Sequence, residues 1–327
     1  MKTWKKFAHV DAKTAEEAAA ILKSGRAALI AGGTDLLGTL RFEILPTHPE
    51  TVVNLKADPF LDYIKEYGGA LRIGALTRLE DIARSALVKE RYAALGEAAH
   101  RTATPHIREM GTIGGNICQL PRCWYFRTPD NRFNCVRKGG GQCFAMSGDN
   151  RYHSIFGAVK SCLAVNPGDL APALVALDAK IHTNRRTIEA ERFWDVAFPG
   201  STVLADDEIV MEVQVPAPPE GAKSAFLKFA VRKSIDFPVV NCAALVDKAG
   251  GTARICLNAV HGKPYRAARA EAAAADALKG NSTAEEAAEA AGAAAVAEAR
   301  ALPGDRNKWK IQIARTLAKR AVLACLR

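Results

Sequence analysis

The sequence predicts an α+β protein with more than one domain. Helical and strand patterns both recur along 327 residues, enough chain for two or three cores. An alanine-rich block near the end reads as paired helices, and a stretch in the middle keeps neither a helical nor a strand period.

Taken in order, the elements are these. Thr14 and Glu17 precede an apolar run that Gly25 stops, so a capped helix is predicted over Thr14–Ser24. Ala27–Ala31 is a short apolar strand running into Gly32-Gly33-Thr34-Asp35, with a helix at Leu36–Leu40 beyond it. Thr51–Leu55 is a strand, and Ile64–Ile73 a hairpin turning at Gly68-Gly69. Thr77 with Glu80 opens another capped helix, and a longer helix covers Lys89–His100. From Cys118 to Cys162 the chain is rich in Arg, Gly, Asn and aromatic residues, as in an ordered insertion. Strands resume at Ala173–His182 and Glu208–Pro216, and Pro216–Pro219 is the predicted linker. A strand at Ala253–Val260 precedes two helices within Ala267–Leu302, parted at Gly280-Asn281-Ser282. Asn307 is expected to cap a last amphipathic helix ending at Leu326, its basic face solvated.

Composition narrows the function classes. With 49% hydrophobic and 24% charged residues the chain is an ordinary globular one, so a metal site would serve function rather than folding. The start, Met1 to Lys6, runs straight into the first helical pattern, and no apolar stretch approaches a membrane span; neither a secretory leader nor a transmembrane helix is expected. The net charge of +10 comes without a helix-turn-helix, zinc-finger or RNA-binding signature, which favours an anionic cofactor or acidic subunit over nucleic acid. Eight cysteines without a leader point to a reducing, cytoplasmic setting, export alongside a partner remaining open.

Three segments carry chemistry. The turn Ala31-Gly32-Gly33-Thr34-Asp35 offers bare backbone N–H groups, a hydroxyl and a following helix start, which suits a pyrophosphate. It suits a plain strand-to-helix turn capped by Asp35 equally well, and it has neither the Rossmann nor the P-loop spacing. A second segment, Gly111-Thr112-Ile113-Gly114-Gly115-Asn116, offers the same groups and could grip one diphosphate from the other side, although glycine pairs also serve bulges and crossings. The third is Cys123, Cys135, Cys143 and Cys162, with 11, 7 and 18 residues between successive members. Four soft thiolates suit an iron-sulfur cluster or zinc; zinc sites favour closely paired cysteines, which these are not. Arg122, Arg127, Arg132, Arg137 and Lys138 surround them, and Gly139-Gly140-Gly141 can turn N–H groups toward sulfur. Cys118, Cys242, Cys256 and Cys325 read as core thiols, and His106 and His153 are assigned no role.

Together the segments resemble the FAD-binding, or medium, subunit of the molybdenum hydroxylase (xanthine dehydrogenase) family. The likeness spans nearly the whole chain: the two glycine segments in order, Asn166-Pro167-Gly168-Asp169 through Leu174, Arg232 to Val239 with Asp236-Phe237-Pro238, and Asn307-Lys308-Trp309-Lys310. The resemblance implies a two-subdomain FAD-binding domain of PCMH type at 1–217 (subdomains about 1–56 and 57–217) and a smaller C-terminal domain at 218–327, an antiparallel sheet with helices. It implies FAD contacts at Leu29, Ile30, Ala31, Gly32, Gly33, Thr34, Asp35 and Leu36, at Gly111 to Asn116, and at Asp169, with Val210 and Lys228 near the flavin ring. The insertion 118–162 departs from ordinary members and is similar to the [4Fe-4S] loop of 4-hydroxybenzoyl-CoA reductase and some bacterial aldehyde oxidoreductases.

By this resemblance the chain is expected to be an oxidoreductase subunit that moves electrons between an external one-electron carrier, such as ferredoxin, and partner subunits: a large one with molybdenum cofactor and a small one with [2Fe-2S] clusters. No catalytic residue is assigned, and the organic substrate and direction of electron flow stay open. Two other readings stand beside it: a self-contained FAD oxidoreductase with structural zinc, and a non-catalytic assembly subunit.

Overall fold

A computed structural model describes residues 4–232, 235–280 and 282–327. Met1–Thr3, Lys233, Ser234 and Asn281 lie outside the described residues, and with them the first residues of the N-terminal reading, two positions of the Arg232–Val239 motif and the middle of the predicted break at Gly280-Asn281-Ser282.

The fold is α+β, with three sheets among the described residues. Strands β1 (Ala8–Asp11), β2 (Ala27–Ile30) and β3 (Thr51–Asn54) form a small parallel sheet in the order β1-β3-β2. Parallel neighbours need a crossover, and the helix Ala15–Leu22 supplies one, capped by Thr14 accepting from the Glu17 N–H. Five strands make the middle, antiparallel sheet: β4 (Ile64–Tyr67), β5 (Ala70–Gly74), β6 (Lys180–Thr183), β7 (Thr187–Glu189) and β8 (Val210–Pro216), in the order β4-β5-β8-β6-β7. Gly68 and Gly69, both at positive φ, turn the β4–β5 hairpin as the sequence predicts. The last sheet is antiparallel, order β12-β11-β10-β9, from β9 (Lys223–Phe229), β10 (Val240–Asp247), β11 (Thr252–Asn258) and β12 (Tyr265–Arg266).

This last sheet holds the halves together. Alternate strand residues face opposite sides, so Ala243 and Cys256 join the core beneath the middle sheet, while Cys242, Ala244 and Leu257 pack under the helices Ala268–Lys279, Ala284–Ala295 and Trp309–Leu326. Cys242, Cys256 and Cys325 are core thiols, as expected.

Several elements differ from the sequence expectation. Lys89–His100 is two short helices, Ala86–Arg91 and Ala93–His100, separated by the buried Tyr92. Ala173–His182, read as a strand, is the end of a wholly buried helix, Leu170–Ala176, followed by β6; a segment without a polar face has no period to read. Thr77 caps no helix: its hydroxyl and the Tyr63 backbone exchange hydrogen bonds, and the helix starts at Leu79. Asn307 is likewise no cap. It is fully buried, accepting from the Leu302 N–H and donating to Ser154 O at 2.8 Å each. Lys310, on the face predicted to be solvated, is fully buried and donates to the carbonyls of Tyr152, His153 and Ala259. Among the described residues no helix is long and apolar enough to cross a membrane.

Candidate functional site

Strand β2 delivers the chain into Ala31–Asp35, and the helix Leu36–Arg41 starts at once beyond it. Gly33 adopts φ +71, which only glycine takes without strain. Gly32 is needed for closeness instead: a Cβ there would stand 1.9 Å from Met110 O, so the two glycine segments meet backbone to backbone. Among the described residues, the amides from Gly32 to Leu36 donate to no protein acceptor. That leaves a row of N–H groups at the carboxyl end of a parallel sheet, where ligands of such sheets gather.

The second segment is built differently. Thr112 caps the helix Ile113–Ile117 by accepting from the Gly115 N–H at 3.1 Å, and the Gly114 N–H donates to Ala75 O at 2.9 Å. A Cβ on Gly114 would lie 2.9 Å from that same carbonyl. These glycines permit close packing and have already spent their N–H groups, while the buried Asn116 Oδ1 has no partner among the described residues.

Between the segments lies a cavity of about 480 Å³, lined by Leu29 to Leu36, by Gly111, Thr112, Gly114, Gly115 and Asn116, and by Asp169 and Val210. Two expected contacts are absent from its wall. Ile113 is fully buried and, with Ile117 of the same short helix, turns into the core. Lys228 points at Asp169 instead, Nζ to Oδ2 2.7 Å, with both side chains 4% exposed. Asp169 also accepts from Asn241 Nδ2 at 2.8 Å, and Asn258 Nδ2 donates to Gly168 O at 2.7 Å, so β10 and β11 clamp the Asn166–Asp169 turn. Burial pushes the Asp169 carboxyl up while Lys228 opposes the shift. Sequence reasoning missed the wall residues Thr102 to Thr104, Ile107 and Gln119; none carries a local signal, and long-range packing alone brings them there.

Asp35 links this cavity to the insertion. Rather than capping its helix it accepts from the Leu120 N–H at 2.9 Å and pairs with Arg122 at 3.0 Å and Arg127 at 2.8 Å. The Arg122 guanidinium also lies 4.5 Å from the Phe237 ring centre. Two of the arginines expected around the cysteines are therefore committed to Asp35.

The insertion contains only short helical turns, the longest being Trp124–Arg127. Cys123, Cys135, Cys143 and Cys162, scattered in sequence, line one narrow crevice of about 10 Å³. Among the described residues no three His, Cys, Asp or Glu side chains form a group that could hold a metal ion. Gly139-Gly140 does not turn its N–H groups to sulfur; they donate to Val136 O and Cys135 O, because the chain doubles back so tightly that a Cβ on Gly140 would lie 1.7 Å from Asn134 O. The donors beside the thiols are others. Arg137, 2% exposed, reaches Cys162 Sγ at 3.8 Å and Ser201 Oγ at 2.9 Å. Lys138 donates to Ile44 O and Phe126 O. His153 Nε2 lies 3.3 Å from Cys123 Sγ, a contact its sequence context did not signal. Burial holds His153 down at about 4 and pushes the Cys123 thiol up to about 12. Cys118 stands apart on the wall of the larger cavity, its thiol likewise pushed up by burial.

Comparison with known proteins gives a consistent picture. The family profile described as the FAD binding domain in molybdopterin dehydrogenase matches residues 5–218, and that of the CO dehydrogenase flavoprotein C-terminal domain matches 225–325. The chain is 35% identical over 269 residues to the aldehyde oxidoreductase FAD-binding subunit PaoB of Escherichia coli, covering 79% of this chain and 82% of that protein. It is 29% identical to the carbon monoxide dehydrogenase medium chain of Hydrogenophaga pseudoflava, over 98% of this chain and 96% of the other. A solved structure of carbon monoxide dehydrogenase from that organism, lacking the Mo-pyranopterin moiety of its cofactor, superposes with TM-score 0.75 at 28% identity, over 99% of this chain and 98% of that one.

Proposed function

The chain belongs to the family of FAD-binding medium subunits of molybdopterin dehydrogenases, and on that premise we propose that it serves as the flavin and [4Fe-4S] electron-transfer subunit of a heteromeric molybdenum hydroxylase. The observation that carries the flavin part is the junction of the two glycine segments on one cavity of about 480 Å³, with the first segment's amides free of protein acceptors. That row of N–H groups suits a diphosphate, and the apolar residues Leu29, Ile30 and Val210 suit the planar and aliphatic parts of a dinucleotide. Bound FAD would exchange two electrons with one partner and single electrons with another. The chain's own part is to orient and enclose: Gly32 lets the loops close on each other, Asn116 offers an unpaired carbonyl oxygen, and Lys228 fixes Asp169 in the wall.

For the thiols we assign a [4Fe-4S] ligand set of Cys123, Cys135, Cys143 and Cys162. The support is the convergence of all four, well separated along the loop, on one crevice. Zinc would draw four sulfurs to within about 2.3 Å of one point, whereas a cubane keeps each ligand on its own iron. We further propose a flavin domain at 1–217 carrying the insertion 118–162, a C-terminal domain at 218–327, a large molybdenum subunit and a small [2Fe-2S] subunit as partners, and a ferredoxin-class carrier as one-electron port. The reading also expects the protein in the cytoplasm.

An anaerobic visible spectrum with flavin, iron, sulfide and zinc analysis tests the whole reading. One FAD with iron and acid-labile sulfide in equal amounts is the expected result. Zinc without sulfide overturns the cluster, and colourless protein that takes up no added FAD overturns the flavin reading.

A further inference from the structure

Buried cations in this protein are held in two ways: Lys310 gives its ammonium to three carbonyls, and others meet carboxylates. Arg108 meets Glu80 at 2.6 Å with both side chains under 9% exposed, and Lys228 meets Asp169 at 2.7 Å. That is the expected arrangement, since an unpaired buried charge is costly. Around the cysteine crevice, among the described residues, two adjacent buried cations lack a carboxylate. Arg137 and Lys138 are 2% and 6% exposed, and among the described residues neither has a carboxylate within ion-pair distance; their hydrogen bonds go to carbonyls, to Ser201 and to Cys162. Both line or adjoin the wall that the four thiols share, Arg137 on the Cys162 side and Lys138 next to Cys135.

Unlike the lone Lys310, Arg137 and Lys138 are adjacent, with Arg137 3.8 Å from Cys162 Sγ, and the crevice thiolates are the negative groups at hand. We propose that Arg137 and Lys138 are positioning residues that supply the counter-charge for the thiolate-held group and raise its reduction potential. The inference rests on the cluster reading above. Four thiolates around a cubane of charge +2 carry net charge −2, and one electron from a one-electron donor takes this to −3, with no bond made and no proton moved. Fixed positive charge stabilises the more negative state, so the electron is accepted more easily. Arg132, three residues from Cys135 but exposed, is screened by water and exerts little of this effect.

The test is an anaerobic redox titration, followed by electron paramagnetic resonance, on protein purified with whatever subunits accompany it. At the wild-type midpoint, Arg137→Gln is expected to lower the reduced-to-oxidised ratio about tenfold, about 59 mV for one electron, and Lys138→Gln to shift it the same way. Arg137→Lys, which keeps the charge, and Arg132→Gln should stay near wild type. Iron-loaded Arg137→Gln and Lys138→Gln with wild-type potentials overturn the proposal while leaving the cluster reading intact; wild-type protein without iron and sulfide overturns that reading itself. Should Arg137→Gln take up no iron, Lys138→Gln decides alone, and an unmoved potential there overturns the proposal. If neither glutamine variant loads iron while Arg137→Lys and Arg132→Gln do, the cations are needed for the thiolates to form, which supports the proposal.

Discussion

Asp35 lines the flavin-type cavity and pairs with Arg122 and Arg127 of the insertion that holds the cysteine crevice, yet the two hollows are made in opposite ways. The first is an open hollow of about 480 Å³ whose walls are strand ends and helix starts; the second is a slit of about 10 Å³ within loop. Backbone hydrogen bonding shapes the first whether or not a ligand is there, because its N–H row is a by-product of β2 meeting a helix. The crevice thiols have no such frame, and on the proposed reading a bound cluster would complete their arrangement and contribute to local folding. The difference teaches that one site is prepared by secondary structure and the other by its side-chain shell.

The largest expected effect breaks the frame of the first site. Lys228→Met strands the Asp169 carboxylate, and the apoprotein should lose about 3–5 kcal/mol, read as a fall in thermal midpoint, with flavin content falling too. A loss below about 1 kcal/mol would mean that the clamp does not support the cavity.

Next comes a matched pair. Gly32→Ala and Gly140→Ala each force a Cβ against a carbonyl, at 1.9 Å and 1.7 Å, and each should cost about 3 kcal/mol. Gly32→Ala is expected to lose flavin and keep iron, and Gly140→Ala the reverse. If both variants lose both cofactors, the two regions are one cooperative unit and the contrast fails.

Cys143→Ser should abolish iron binding while shifting the stability of the metal-free chain by less than about 1 kcal/mol, since the side chain is only half-buried. Flavin stoichiometry, measured on the same sample, should not change.

The smallest effect is acid dependence. Burial holds His261, whose carbonyl accepts from Asn166, at about 4 in the folded chain against 6.5 ordinarily. The unfolded chain therefore takes up the proton first, and stability present above pH 6.5 is lost as the pH falls toward 4, by about 1–2 kcal/mol. His261→Gln should flatten that part of the denaturation profile. An unchanged slope would remove His261 from the account.

Much of this was legible in the residues. Thr14 with Glu17 announced its helix, Gly68-Gly69 its hairpin, and Gly32-Gly33 the turn after β2, because each depends on neighbours within a few positions. The four cysteines stood out in sequence by their polar, aperiodic surroundings, and they line one crevice, although Cys135 and Cys162 are buried like the core thiols. The failures share one cause. Leu170–Ala176 is apolar on every side, so helix and strand look alike in it; Asn307 and Lys310 look like a cap and a solvated base until their partners at Ser154 and Tyr152, some 150 residues away in sequence, are in view.

By itself, then, the sequence determined which chemical groups are available and where the chain turns: glycines without side chains, four soft thiols, short capped elements. Only the tertiary structure decided which of those groups remain free. It spent the second segment's N–H groups on Ala75 and Thr112 while leaving the first segment's open, and it gave Arg122 to Asp35 while leaving Arg137 and Lys138 without a carboxylate. The reason is physical: hydrogen bonds and ion pairs in a buried interior are assigned by whichever elements pack together, and that assignment is a property of the whole chain.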